Sequence, residues 1–309
     1  MDARVSVIIP TLRAGRSLPA LLDRLHGQSL RPLEIIVTDS SSDDGTADLA
    51  RRAGCQVEVI PPETFDHGGT RNRGARMASG NILMFMTQDA LPARDDFLEA
   101  IVRPIVTGRA AAAYARQIPR ADARPSEVFA RRFNYPDRPE EKRLADISRL
   151  GIRAFFFSNA AAAVAREPFE AVGGFPEGVI MNEDMLLCAK LLRGGYTVAY
   201  ESAAVVYHAH RYTIGRTLRR YFDIGIFRAQ AGPLLAGAAW TGQGFRFTAG
   251  LFGYLLRSGA WTSLPRAASE TFVKLAGVQL GRCHRWIPRP LKQRLSLHRV
   301  FWSPGAGGA

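Results

Sequence analysis

Residues 66–90 read DHGGTRNRGARMASGNILMFMTQDA. A glycine-rich polar turn carrying Arg71 and Arg73 opens the stretch, and a helix is expected near Thr70 to Ala78. Ile82 to Met86 is an unbroken apolar run, expected as a buried strand. It stops at Thr87, Gln88 and Asp89. A carboxylate just past the carboxyl end of such a strand sits where open α/β sheets bind ligands.

Outward from there, strands and helices alternate. Val5 to Ile9 reads as a short strand, with Pro10 ending its ladder for want of a donor. Ser17 can cap a helix whose stripe is Leu18, Leu21, Leu22 and Leu25. Glu34 to Thr38 is a second strand, and a helix starts between Asp43 and Thr46 and runs to about Ala53, with Gly54 as its stop. Val57 to Ile60 is a third strand. With the stretch above, this β-α-β-α-β-α-β series implies a parallel sheet with helices on its faces.

Residues 116–150 are charged and hold four prolines, and are expected as a helical or loop excursion lining the site. Phe155 to Ser158 and Ala160 to Val164 look like strands. Met185 to Arg193 looks helical, stopped by Gly194 and Gly195. Thr197 to Tyr200 and Ala204 to Tyr207 are late strands, and helices with Gly and Pro breaks follow from about Ile214. Ser303 to Ala309 is expected to be disordered. The division expected is an α/β domain over 1–214 and a basic helical region over 215–309.

The net charge of +13 is lopsided. Residues 1–202 hold 26 basic and 26 acidic residues, whereas 203–309 hold 15 basic residues against Asp223 and Glu270. No nucleic-acid-binding motif accompanies this excess, so nucleic acid is not an expected partner. An anionic membrane surface or a lipid-phosphate acceptor fits better, beside the plainer reading of a solvated basic face. No apolar run there reaches the roughly 20 residues that span a bilayer. The N-terminus, MDARVSVIIPT, reads as a first strand and not as a signal peptide. Cys55, Cys188 and Cys283 form no paired framework. Together these imply a reducing, cytoplasmic setting, with possible peripheral contact to the inner face of the membrane.

Each polar cluster has a functional and a structural reading. Asp39, followed by Ser40 to Ser42, could accept from a base or ribose, or could simply hold a turn. Asp89 is suited to a hard divalent cation bridging carboxylate to diphosphate. Arg71 and Arg73 could contact phosphates. Glu183 and Asp184 precede a helix, where the dipole alone favours acids, or one of them is a general base. His208 and His210 alternate along an extended segment and so share a face, which permits but does not require metal binding.

With these residues in view, the chain resembles the family 2 glycosyltransferases of GT-A fold. The resemblance rests on Val5 to Thr11, Asp39 to Thr46, Arg71-Asn72-x-Gly74, Ser158-Asn159, Gly173-Gly174-Phe175, Glu183-Asp184 and Val206-x-His208. It spans about residues 4–215. One departure stands out: Thr87-Gln88-Asp89 replaces the family's Asp-x-Asp. Phe65 to Asn72 and Gln88 to Pro92 look like the bacterial rhamnosyltransferase branch.

The resemblance implies an inverting transferase moving a sugar, foremost L-rhamnose from dTDP-β-L-rhamnose, to a polysaccharide or lipid-linked saccharide. It implies donor contacts from Pro10, Thr11, Asp39, Arg71, Gln88 and Asp89, and Mg²⁺ or Mn²⁺ on Asp89 and His208. Asp184 would be the catalytic base, with His67, Gly68, Asn159 and Glu183 around the sugar or acceptor. The alternatives are a UDP- or GDP-linked donor, a nucleotidyltransferase, or a non-catalytic nucleotide-sugar-binding protein.

Overall fold

The computed structural model describes residues 2–208, 212–232, 234–239 and 242–303. The first half alternates as expected. β1 (Val5–Thr11), α1 (Leu18–His26), β2 (Glu34–Asp39), α2 (Thr46–Arg52), β3 (Gln56–Val59), α3 (His67–Met77) and β4 (Ile82–Met86) follow in turn. Then come β5 (Leu91–Pro92), α4 (Phe97–Val106), β6 (Ala112–Ile118), α5 (Pro125–Asn134), β7 (Glu140–Lys142) and α6 (Ile147–Leu150). β8 (Ala161–Ala165), α7 (Arg166–Ala171), α8 (Glu183–Arg193) and β9 (Val198–Tyr207) complete the sheet region. The helices α9 (Ile214–Gln230), α10 (Gln243–Arg257), α11 (Leu264–Arg282) and α12 (Arg289–Leu295) end the chain.

One sheet runs in the order β3-β2-β1-β4-β8-β6-β9-β5, with β7 on β9. The first four strands are parallel, β8 runs antiparallel to both β4 and β6, and β9 is parallel to β6. Strand alternation sends side chains to two faces. Val7, Ile9, Met84 and Met86 meet α1 and α4 residues such as Leu21, Leu22 and Ile101 on one face. Ile8, Leu83 and Phe85 meet Phe169, Phe175 and the α8 leucines on the other. Gly74 lets α3 lie against β1, since a Cβ there would come within 2.5 Å of Ile8 Cγ2.

Several expectations need correction. β1 continues through Pro10 to Thr11 opposite β2; its pairing with β4 has ended at Ile8, so the missing N–H is tolerated. Ser17 does not cap α1 through its side chain. α2 begins at Thr46, within the expected start, behind Gly45 at φ 78°. β6 was not expected: alanines carry little strand preference, and pairing on both flanks overrides it. Phe155 ends a 3₁₀ turn over Gly151–Phe155, and Phe156 to Ser158 form a loop instead of a strand. The two late strands are one, because a register shift opposite Ala115 and Arg116 absorbs the break.

The C-terminal helices pack onto this frame. Phe222, Ile226 and Phe227 of α9 and Trp302 share the core that α8 builds with the sheet. α11 presses against α9 through glycines, with a Cβ on Gly281 falling 2.0 Å from Phe222 O. α10 meets α5 through Phe129, Phe133, Phe247 and Tyr254. Residues 304–309, for which disorder was expected, and His210 lie outside the described residues.

Candidate active site

The loops after β1 and β2 lock together at the carboxyl edge of the parallel strands. Asp39 is fully buried and accepts from Thr11 Oγ1 at 2.7 Å, Ser42 N at 2.8 Å and Ser42 Oγ at 2.7 Å. A base or ribose would therefore reach Asp39 by replacing the Thr11 or Ser42 hydroxyl. Arg13 donates its backbone N–H to Ser42 Oγ and its guanidinium to both oxygens of Asp43. Gln88 also works inside the protein: its amide accepts from Leu12 N at 2.8 Å and donates to Leu12 O at 3.0 Å. It thus pins the β1 loop to the end of β4.

Among the described residues three non-glycine residues have left-handed backbone, Arg13 (φ 50°), Ser41 (φ 52°) and Asn182 (φ 58°). Each sits in one of the site's loops, and such strain concentrates at functional positions.

At the end of β4, Asp89 Oδ1 lies 3.5 Å from His208 Nε2. The tautomer of His208 follows from its other nitrogen. Arg131 donates to Gln117 Oε1, which fixes that atom as the amide oxygen, while Gln117 Nε2 donates to Ser158 Oγ at 2.7 Å. His208 Nδ1, 2.8 Å from the same Oε1, must then carry a proton. In the neutral ring Nε2 presents its lone pair towards Asp89. A histidine held by a hydrogen bond on one nitrogen and facing a carboxylate with the other has the donor set of a divalent-cation site. Among the described residues no three acidic, histidine or cysteine side chains gather around one such point. A cation held by this pair alone would need further oxygens, as a substrate diphosphate could supply.

The third cluster joins α3 to α8. Asp184 accepts from Asn159 N at 3.1 Å and from Met185 N at 2.8 Å. Burial, and next the charge of Glu183, push its pKa up to about 7. Glu183 is buried too, yet the Arg71 guanidinium at 3.0 Å overcomes the burial and holds it below the ordinary range. Asn159 Nδ2 donates to Glu183 at 3.1 Å. The two neighbouring acids thus differ: Glu183 is the fixed anion and Asp184 is poised to exchange a proton near neutrality.

Arg71 joins this cluster: its Nη1 donates to Glu183 and to His67 O at 2.8 Å. At Gly68 a Cβ would meet Pro176 O at 2.1 Å. The glycine lets α3 touch the 173–178 turn, which Asn72 and Asp66 also bind. Arg73 points elsewhere, to Glu58 at 3.3 Å.

Three contributors went unannounced in the sequence. Gln117 and Arg131 orient His208, but β6 was unforeseen. His298, from near the chain end, places Nδ1 3.0 Å from His67 Nε2. Asp223 fixes that turn by accepting from Leu297 N at 2.9 Å. Burial lowers the pKa of both imidazoles, that of His298 to about 3. Ser296 and His298, after the amphipathic helices, were the one available signal.

A strand-end carboxylate and histidine, and a half-buried acid of raised pKa, on one open α/β sheet are parts that a group-transfer enzyme can use. The Glycosyl transferase family 2 model matches residues 6–173. The O-antigen chain rhamnosyltransferase RfbN of Salmonella typhimurium is 38% identical over 306 residues, 97% of this chain and 96% of its own length. WbaN of Salmonella anatum, another O-antigen chain rhamnosyltransferase, is 36% identical over 304 residues, 96% and 95% of the two chains. The solved mannosyltransferase PcManGT from Pyrobaculum calidifontis, in complex with GDP-Man and Mn²⁺, aligns with a TM-score of 0.64 at 22% identity. That alignment covers 93% of this chain and 88% of that one, and it establishes the GT-A architecture. The chain belongs to glycosyl transferase family 2 and is a glycosyltransferase.

Proposed function

We propose that the enzyme transfers L-rhamnose from dTDP-β-L-rhamnose, with inversion, to a hydroxyl of a polysaccharide or lipid-linked saccharide. The observation that carries the chemistry is Asp184, an acid near neutrality held by two backbone N–H groups beside the fixed charge of Glu183. Asp184 takes the acceptor hydroxyl's proton, and the oxygen attacks the anomeric carbon on the face opposite the leaving diphosphate. Asn159 and Glu183 hold Asp184 in place. Support for rhamnose comes from the two full-length relatives named as rhamnosyltransferases.

The donor nucleotide would lie at Pro10, Thr11 and the Asp39 turn, with its diphosphate towards Asp89. Asp89 and His208 suit Mg²⁺ or Mn²⁺, and the GT-A neighbour solved with Mn²⁺ supports that class of ion. Such an ion supplies charge stabilisation to the departing diphosphate. Its binding to Asp89 and His208 is expected to be weak without dTDP and much tighter with it.

Among the described residues no helix is long and apolar enough to cross a membrane. The C-terminal helices nevertheless expose Phe245, Trp261, Phe272, Leu275 and Trp286 among their basic residues. These support peripheral contact with an anionic, cytoplasmic membrane face.

The test is transfer of label from dTDP-rhamnose, compared with UDP- and GDP-linked sugars, with and without chelator. Product from dTDP-rhamnose of inverted anomeric configuration is expected. Preference for another nucleotide sugar would overturn the donor, and full activity in excess chelator would overturn the metal.

A further inference from the structure

A cleft of ≈ 260 Å³ opens between α5 on one side and α9, α10 and α11 on the other. Four cations line it: Arg124, Arg131, Arg220 and Lys274. Its two carboxylates are already engaged. Glu127 accepts from Arg124 N at 3.1 Å to start α5, and Glu270 accepts from Arg266 Nε at 2.8 Å. Arg131 is spent on Gln117. Among the described residues no carboxylate lies within 4.0 Å of the Arg124, Arg220 or Lys274 charge.

Rings hold two of these cations without neutralising them. Lys274 Nζ lies 5.6 Å from the centre of Tyr221 and 5.4 Å from that of Phe247. The Arg220 guanidinium lies 5.6 Å from Tyr212. Four cations against two carboxylates leave a net positive charge around one concavity, which raises the local concentration of anions.

The cleft abuts both halves of the site. Through Arg131 and Gln117 it reaches His208. Arg220 is close enough that its charge adds to burial in lowering the pKa of His67 and His298. The volume lies just below the range of about 300–1,000 Å³ of whole small-molecule sites, so it suits a small head group and not an oligosaccharide.

We propose that this cleft binds the phosphate of an anionic acceptor, a sugar ester of a phosphate or diphosphate, and presents its sugar to Asp184. The proposal rests on the glycosyl-transfer reading above. The anion could belong to the acceptor, to bulk lipid headgroups or to free phosphate, and the test separates these.

Transfer kinetics are compared for a short-chain alkyl diphosphate sugar and the matching neutral alkyl glycoside. The wild type is expected to show a KM at least about tenfold lower for the diphosphate, the scale of charge-assisted hydrogen bonds. The double variant Arg124→Gln, Lys274→Gln should erase that preference, and Lys274→Arg alone should keep it. Equal effects on both acceptors, or on neither, would overturn the proposal.

Binding of inorganic pyrophosphate under chelation, followed by calorimetry, is read independently of transfer. It should be lost in the double variant and kept in Asp89→Ala; the reverse pattern assigns the anion to the donor site and overturns the proposal. Flotation on anionic vesicles should be alike for wild type and double variant. A loss of flotation with unchanged acceptor KM assigns the cations to headgroups, which also overturns it. Absence of transfer in every arm, with the pyrophosphate pattern intact, would instead overturn the transfer reading and support the anion site.

Discussion

The two sides of the site are built by different means. The nucleotide side is a pair of neighbouring loops, 11–15 and 39–46, stitched by short side-chain-to-backbone bonds and an exposed Arg13–Asp43 pair. The acceptor side gathers Arg71, Asn159, Glu183, Asp184 and His298 from four distant segments, around a buried ion pair. Loops that hold themselves by local bonds can shift to admit a nucleotide. A cluster held by one buried charge pair fails together if a member is lost. The contrast predicts catalytic and structural losses on the acceptor side, and mild ones on the nucleotide side.

The sharpest break is at Asp184. Asp184→Asn should lower transfer by about 10²–10⁴-fold, the usual contribution of a general base, while dTDP binding by calorimetry stays near wild type. As the proposed base, Asp184 would act deprotonated, and with burial raising its pKa to about 7, wild-type kcat should rise with pH through about 7. Near-wild-type turnover in the variant would end the assignment.

Next in size is Arg71→Ala, which strands Glu183 in the interior. Removing one partner of a buried pair costs about 3–5 kcal/mol, so denaturant unfolding should show a large drop in midpoint. If stability held and dTDP affinity fell, Arg71 would return to the donor side.

How much of this was legible in the sequence follows the same divide. β1 to β4 were readable because apolar runs and turn residues sit close together, and Asp184 because a helix start marks it. Gln117 and His208 are 91 residues apart, and His67 and His298 are 231 apart. No local pattern announces such contacts. β6 was hidden as well, since Ala112 to Ala115 reads as helix or loop until flanking strands pair with it.

Gln117→Leu probes the hidden set. Losing the bond that orients a metal-binding histidine typically costs about 10–100-fold in affinity. Titration of Mn²⁺ with dTDP present should show that loss, while dTDP binding under chelation stays unchanged. An unaltered Mn²⁺ affinity would remove His208 from the ligand set.

Asp223 gives a smaller, pH-dependent effect. Burial raises its pKa from 3.8 to about 7, so the folded state binds its proton more tightly than the unfolded chain. The stability this contributes is complete below about pH 4 and is lost as pH rises through 7, with a slope of at most about 1.4 kcal/mol per pH unit. Asp223→Asn should flatten the wild-type decline between pH 4 and 7 in thermal unfolding. An unchanged slope would mean that Asp223 is not the titrating group.

The nucleotide side supplies the smallest effect and the control for the comparison. Arg13 and Asp43 make two good hydrogen bonds at 2.9 Å, as good in geometry as Arg71 and Glu183 at 3.0 Å. Solvent separates the cases: the side chains of the first pair are 69% and 68% exposed, those of the second 6% and 7%. Water screens the exposed pair and rehydrates whichever charge is left, so Asp43→Ala should cost no more than about 1 kcal/mol. Denaturant curves of Asp43→Ala and Arg71→Ala, run side by side, test burial as the deciding variable. A loss at Asp43 as large as that at Arg71 would mean that the strained turn at Arg13 depends on this pair, and that the nucleotide side is as tightly bound as the acceptor side.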